Sequence, residues 1–222
     1  MKDKKGEEGT DMGIYLNPGN EQFTVSINSE LYVDKTELIK YTNSRIGKDR
    51  PLICSSRPRR FGKTMAVTML SAYYSKGCHS EKLFSGLKIS QNEFFKVHLN
   101  KYNVISLDIQ WMYGNALEEM KRSSSVKVVS YIQEQVISEL RKEYPECVLD
   151  TDISLPSVLA KIKAKTKEQF IIIIDEWDCL FREDKNNESL QKEYINLLRG
   201  LFKGTPSGAQ VKLINCYAPQ HH

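Results

Sequence analysis

The chain has 222 residues, of which 40% are apolar and 27% charged, with a formal charge of +4. That is the make-up of one good-sized globular domain with room for a substantial core. It excludes a membrane-spanning helix, because the longest apolar run, Phe170 to Ile174, falls far short of the ~20 residues required, and a charge so nearly balanced permits an anionic partner without demanding nucleic acid.

The first dozen residues, MKDKKGEEGTDM, are charged and glycine-bearing, and residues 1–13 are expected to be a disordered extension. The polar N-terminus also lacks the apolar core of a signal peptide, so a cytoplasmic protein is expected. Order is expected from Ile14. ELYVDKTELIKYTN reads as a strand-like entry into a helix, with Asp34 as N-cap and Glu37 in capping-box position. PLICSS, Pro51 to Ser56, suits a buried strand. From Lys63, KTMAVTMLSAYY carries Met65, Met69, Leu70 and Tyr73 at the spacing of a helix with one buried face. LFSGLKIS and NEFFKVHLN read as connections, the second with a short helix.

YNVISLDI, Tyr102 to Ile109, is a second strand. A long amphipathic helix comes next, through Val129, Ile132, Val136, Ile137 and Leu140, and ends before Pro145. Another covers Pro156 to Lys165. QFIIIIDEWD is a third strand, very apolar, and Leu190, Tyr194, Leu197, Leu198 and Leu201 mark a helix stopping near Gly204 and Pro206. QVKLINC is a fourth strand. Nearly all-apolar strands alternating with helices predict an α/β layered domain, a mainly parallel sheet flanked by helices, over residues 14–222.

Five cysteines form no C-x-x-C pair, which argues against a structural zinc site or a thioredoxin-like motif and for reduced thiols. Cys78-His79 has no second pair with which to complete a metal site and reads as a helix-start or loop pair, and the terminal His221-His222 reads as an exposed tail.

The chemistry concentrates in two places. SSRPRRFGKTM, Ser55 to Met65, ends like a phosphate-binding P-loop but has Arg57 where the first glycine of G-x-x-x-x-G-K-[ST] belongs. Its context is nevertheless strand, turn, helix. Gly62 would let the backbone approach phosphate, Lys63 would reach the β/γ-phosphates, and Thr64 would ligate Mg²⁺. Arg57, Arg59 and Arg60 add positive potential, and helix N–H groups add theirs. A basic turn without a ligand is the alternative for this stretch alone. The second place is IIIIDE, an apolar strand ending in two acids, as in a Walker B strand. Asp175 would hold the metal at the C-terminal edge of the sheet, and Glu176 would orient and deprotonate water. The alternative is two acids that merely end a buried strand and cap the next segment of chain. YNVISLDI, read as the extra strand between these motifs, together with Glu176, points to the ASCE class of P-loop ATPases.

YVDKT at Tyr32 to Thr36, RPRRFGKT at Arg57 to Thr64 and IDEWD at Ile174 to Asp178 together resemble the AAA-ATPase-like family of bacterial and archaeal proteins. LFSGLKI and EYINLLRGLFKGT are similar to family text as well. The resemblance runs from about Met12 to Ser207. It implies ATP binding with Mg²⁺ and hydrolysis, and a loop spanning Arg57, Pro58, Arg59, Arg60, Phe61, Gly62, Lys63, Thr64 and Met65 at the nucleotide. In that scheme Thr64 and Asp175 are metal ligands, and Lys63 and Glu176 act in catalysis. It also implies that YVDKT packs beside the loop, either near an adenine or as packing alone. Many members continue into a domain resembling PD-(D/E)XK nucleases. Here the text drifts after Gly208, so a chain truncated at its C-terminus is expected, with Asn215 the candidate polar sensor.

Three functions compete at this level: a Mg²⁺-dependent ATPase, a nucleotide-binding switch or scaffold with little turnover, and a nucleic-acid enzyme suggested by DEWD. The last lacks room for a second motor domain, and nucleic acid enters only by analogy with nuclease-fused relatives. Besides ATP, the reading admits a protein partner or oligomer and no membrane. Arg182 and Arg199 are candidates for an arginine finger.

Overall fold

The computed structural model describes residues 12–48, 52–57, 62–203 and 209–217, with backbone alone for 56–57 and 209–217. In chain order the elements are α1 (Glu21–Ile27), α2 (Glu37–Asn43), β1 (Leu52–Arg57), α3 (Lys63–Tyr74), α4 (Glu81–Phe84), a 3₁₀ turn (Lys88–Gln91), α5 (Phe95–His98) and β2 (Asn103–Asp108). Next come α6 (Ile109–Arg122), α7 (Val128–Glu143), α8 (Leu155–Thr166), β3 (Phe170–Asp175), α9 (Cys179–Glu183), α10 (Glu188–Phe202) and β4 (Ala209–Tyr217).

The four strands form one parallel sheet in the order β1-β4-β3-β2. Parallel strands need covering on both faces, and β3 accordingly is buried along its whole length. Its side chains alternate between two cores. Phe170, Ile172 and Ile174, with Ile105 and Leu107 of β2, pack against α6 to α10. Ile171 and Ile173, with Val104 and Ile53, pack against α1, α2 and α3. The α/β expectation is met as a small parallel sheet flanked by helices.

The strand between the two motif strands is β4; β2, which comes after the loop in sequence, forms the far edge beyond β3. Chain order does not dictate sheet order when every connection is a crossover. The open side of β2 is itself covered. Leu16 bridges Ile105 in antiparallel fashion, Ser106 N–H donates to the Tyr15 carbonyl at 2.9 Å, and Asn17 N–H donates to the Val104 carbonyl at 2.7 Å. The Glu139 carboxylate of α7 holds that segment by accepting the N–H groups of Ile14, Tyr15 and Leu16 at 2.9, 3.0 and 2.7 Å. Covering an edge in this way blocks further strand addition.

Asp34 is not the N-cap of α2; that position is Thr36. Asp34 instead accepts the Thr36 N–H and hydroxyl at 2.8 and 2.6 Å and, through its other oxygen, the Lys88 N–H at 2.8 Å. The carboxylate therefore closes the turn before the helix and ties it to a distant segment. Burial works against its ionisation, but these hydrogen bonds win and hold its pKa below the usual value. Of the proposed extension, residues 1–11 lie outside the described residues. Among the described residues no helix is long and apolar enough to cross a membrane.

Candidate functional site

Four side chains from two distant parts of the sequence meet at the C-terminal edge of the sheet. α3 begins at Lys63, with Gly62 before it at φ 73°, ψ 35°. This left-handed conformation is cheap only for glycine. It turns the chain from β1 into the helix, and the Gly62 carbonyl accepts the Ala66 N–H at 3.1 Å. On the other side, the isoleucines of β3 anchor a strand that ends on Asp175, which is 3% exposed. Glu176 is next at φ 50°, in a region that costs a non-glycine residue about 1–3 kcal/mol. That kink redirects its carboxylate off the strand.

The two ends are joined by side chains. Lys63 Nζ pairs with Glu176 Oε1 at 3.1 Å, and the Thr64 hydroxyl donates to Asp175 Oδ2 at 3.2 Å. Lys63 is well enclosed, its side chain 8% exposed. Arg182 of α9 reaches back to Glu176 Oε2 at 2.9 Å and Asp178 Oδ2 at 3.5 Å. Glu176 is thereby clamped between two cations. Although burial raises its pKa, bonds from Arg182 and Lys63 outweigh that and hold it low. Asp175 goes the other way: burial, then the nearby charges of Asp108 and Glu176, push its pKa up. Two adjacent carboxylates thus have opposite leanings, set by what surrounds each.

Thr64 and Asp175 offer hard oxygen donors side by side, the donor type that Mg²⁺ takes. Asp108, in register with Asp175 at the end of β2, supplies a further carboxylate nearby. One of its oxygens accepts the Trp111 N–H at 2.9 Å and so starts α6. A cavity of about 520 Å³ opens beside this acid corner, with Thr64, Asp108 and Asp175 at one end and Tyr15 and Trp111 among its walls.

Of the residues singled out in the sequence, Gly62, Lys63, Thr64, Asp175 and Glu176 converge. Met65 also belongs here: its Cε would lie 3.5 Å from a methyl placed on Gly62. Arg57 closes β1, described by its backbone alone, while Pro58, Arg59, Arg60 and Phe61 lie outside the described residues. Asn215 sits in β4 opposite Ser55, again by backbone alone. Arg182 works within its own chain on Glu176 and Asp178; Arg199 is on the exposed side of α10.

A phosphate-loop ending, an acid-tipped apolar strand and their meeting at one sheet edge agree with the comparison of sequences. The sequence model of a family described as predicted AAA-ATPases matches residues 19–215. The chain belongs to the AAA-ATPase-like family. No curated protein matches it. Family membership supports nucleotide binding as the general role.

One contributor to this AAA-ATPase-like site, Asp108, was not assigned from sequence, although it had a signal, an acid ending an apolar strand just as Asp175 does. Arg182 was singled out as a candidate arginine finger, but its pairing with Glu176 was not foreseen.

Proposed function

We propose that the chain binds ATP with Mg²⁺ on an ASCE-type P-loop NTPase fold spanning residues 14–222 and hydrolyses it. The carrying observation is the double junction of Lys63 with Glu176 and Thr64 with Asp175, which joins the loop helix to the acid strand. In this reading the backbone from Arg57 through Pro58, Arg59, Arg60, Phe61 and Gly62 to Met65 surrounds the phosphates, helped by the N-terminal N–H groups of α3. Lys63 binds the β/γ-phosphates. Thr64 and Asp175 hold Mg²⁺, which when bound neutralises charge on the phosphoryl oxygens. Glu176 orients the attacking water and takes its proton.

Phosphate must then compete with Glu176 for Lys63. When Lys63 turns to the phosphates, Glu176 loses one of its two cations, and its basicity rises. Arg182 keeps the carboxylate aimed meanwhile. Coupling base strength to phosphate binding would limit proton removal to the loaded site.

One observation favours a second reading, a nucleotide-binding switch with little turnover: a glutamate held by Lys63 and Arg182 is a weak base. Phosphate release by the full chain with Mg²⁺ and ATP decides between them. Hydrolysis predicts turnover that falls about 10²–10⁴-fold in Glu176→Gln with binding retained. Binding without turnover in the wild type would leave the switch.

A further inference from the structure

Gly62 has a close neighbour from an unexpected part of the chain. A methyl group placed on its Cα would lie 2.7 Å from Lys35 Nζ and 3.9 Å from Lys35 Cε. The Lys35 ammonium therefore rests on the glycine that opens α3, directly before Lys63. Its backbone is fixed from both sides. Asp34 ties the segment to the Lys88 N–H at 2.8 Å, and the Thr36 hydroxyl accepts the Ile89 N–H at 3.1 Å. The fully buried Thr36 leads into α2, whose Ile39 is buried in the same core as Val67, Met69 and Leu70 of α3. Asn43 and Thr42 at the far end of α2 bond to the tyrosines ending α3, Asn43 to the Tyr73 hydroxyl at 3.0 Å and Thr42 to the Tyr74 hydroxyl at 2.6 Å. A rigid cross-brace thus delivers Lys35 to the start of α3.

We propose that Lys35 is a second polyphosphate-binding lysine, acting with Lys63 on the anionic chain of a nucleoside triphosphate. This rests on the ATP-binding reading above and adds a residue to it. The physical case is placement and charge. A helix N-terminus already favours anions, a flexible ammonium beside it adds a full positive charge, and enclosure raises its worth over that of an exposed lysine. Because Asp34 and Thr36 hold the backbone on either side, the Lys35 side chain is kept at the start of α3, where a bound phosphate would compete with its present contacts. Its contribution should grow with the number of phosphates and vanish for adenosine.

The test is equilibrium binding of ATP, ADP and adenosine with Mg²⁺ to the full-length wild type, Lys35→Gln, Lys35→Arg and Lys63→Ala, each with a melting curve. The expected result is at least a tenfold loss of ATP affinity in Lys35→Gln, a smaller loss for ADP, none for adenosine, and partial recovery in Lys35→Arg. The salt dependence of ATP binding should also flatten in Lys35→Gln. ATP affinity in Lys35→Gln within twofold of wild type, while Lys63→Ala abolishes binding, would overturn the proposal and leave the ATP reading intact. An equal loss for ATP and adenosine would overturn it too, making Lys35 a packing residue. A folded wild type that binds no ATP would overturn both.

Discussion

The two faces of the sheet are built differently. The buried core under α6 to α10 is mainly aliphatic, with Val129, Ile132, Val136, Ile137 and Leu140 of α7 pressed on Phe170, Ile172 and Ile174, and its aromatics, such as Tyr144 and Tyr194, are a minority. The face under α1 to α3 is aromatic and hydroxyl-rich: Phe23 stacks on Phe84 at 5.1 Å, and Tyr73 meets Tyr74 edge to face at 4.8 Å. Its tyrosine hydroxyls bond outward to α2 and to the Phe95 carbonyl at 2.7 Å. Aliphatic packing is strong and non-directional, whereas hydroxyl bonds and ring edges fix an orientation. The face that carries α3, and with it Lys63 and Thr64, is the one whose buried core is richer in aromatic rings and buried hydroxyl bonds. The other supplies bulk stability.

That contrast can be broken from either side. Ile132→Ala, in the aliphatic core with no exposure, should cost about 2–5 kcal/mol in chemical denaturation while leaving the docking of α2 unchanged. Tyr74→Phe should cost less, about 1–3 kcal/mol, because it removes the hydroxyl that meets the Asn43 side-chain oxygen at 2.7 Å and Thr42 at 2.6 Å, although Thr42 keeps its bond to the Ile39 carbonyl at 3.0 Å. Its local effect should be larger than its global one, read as faster amide exchange across α2 than in Ile132→Ala.

Glu168 ties both faces together at the N-terminal edge of the sheet. It accepts from Lys76 after α3 at 2.9 Å, from Asn103 of β2 at 2.6 Å, and from the Tyr144 hydroxyl after α7. Burial opposes its ionisation, but the hydrogen bonds prevail and its pKa is lowered. A lowered native pKa means that the unfolded chain takes up the proton first on acidification. The stabilisation is whole above the unfolded value near ~4.3 and is lost as pH falls through the native one. Denaturation midpoints across pH 3–6 should show this slope in the wild type and a shallower one in Glu168→Gln. The smallest effect belongs to neither face: Lys192→Ala, breaking an exposed pair with Glu188 at 3.1 Å, should change stability by no more than about 0.5 kcal/mol.

The aliphatic face was the legible one. Its helices α7, α8 and α10 stand where they were expected; all five residues named for α7 are buried, and of those named for α10 Leu190, Tyr194, Leu197 and Leu201 are, with Leu198 only partly so. β3 is plain as four isoleucines, and α3 starts at Lys63 as expected because a glycine in the left-handed region must precede it. α6 escaped notice because it begins immediately after β2 and buries only Ile109, Met112 and Ala116. On the other face, Asp34 satisfied the local capping rule, yet its carboxylate went to Lys88, fifty-four residues away. No local pattern encodes that choice. Likewise the acids and the lysine of the site were visible as types at the right spacing, while the bonds of Glu176 to Lys63 and Arg182 and the approach of Lys35 to Gly62 exist only once the sheet is assembled.

The central claim is that the start of α3 and the end of β3 form one nucleotide site. Its most direct test is Mg²⁺-dependent binding of a fluorescent ATP analogue to folded wild type and Lys63→Ala. The account predicts saturable binding that requires Mg²⁺ and weakens about 10–100-fold or more in Lys63→Ala, the worth of a lost charge-assisted contact. Binding unchanged by Lys63→Ala, or absent from a folded wild type, would contradict it.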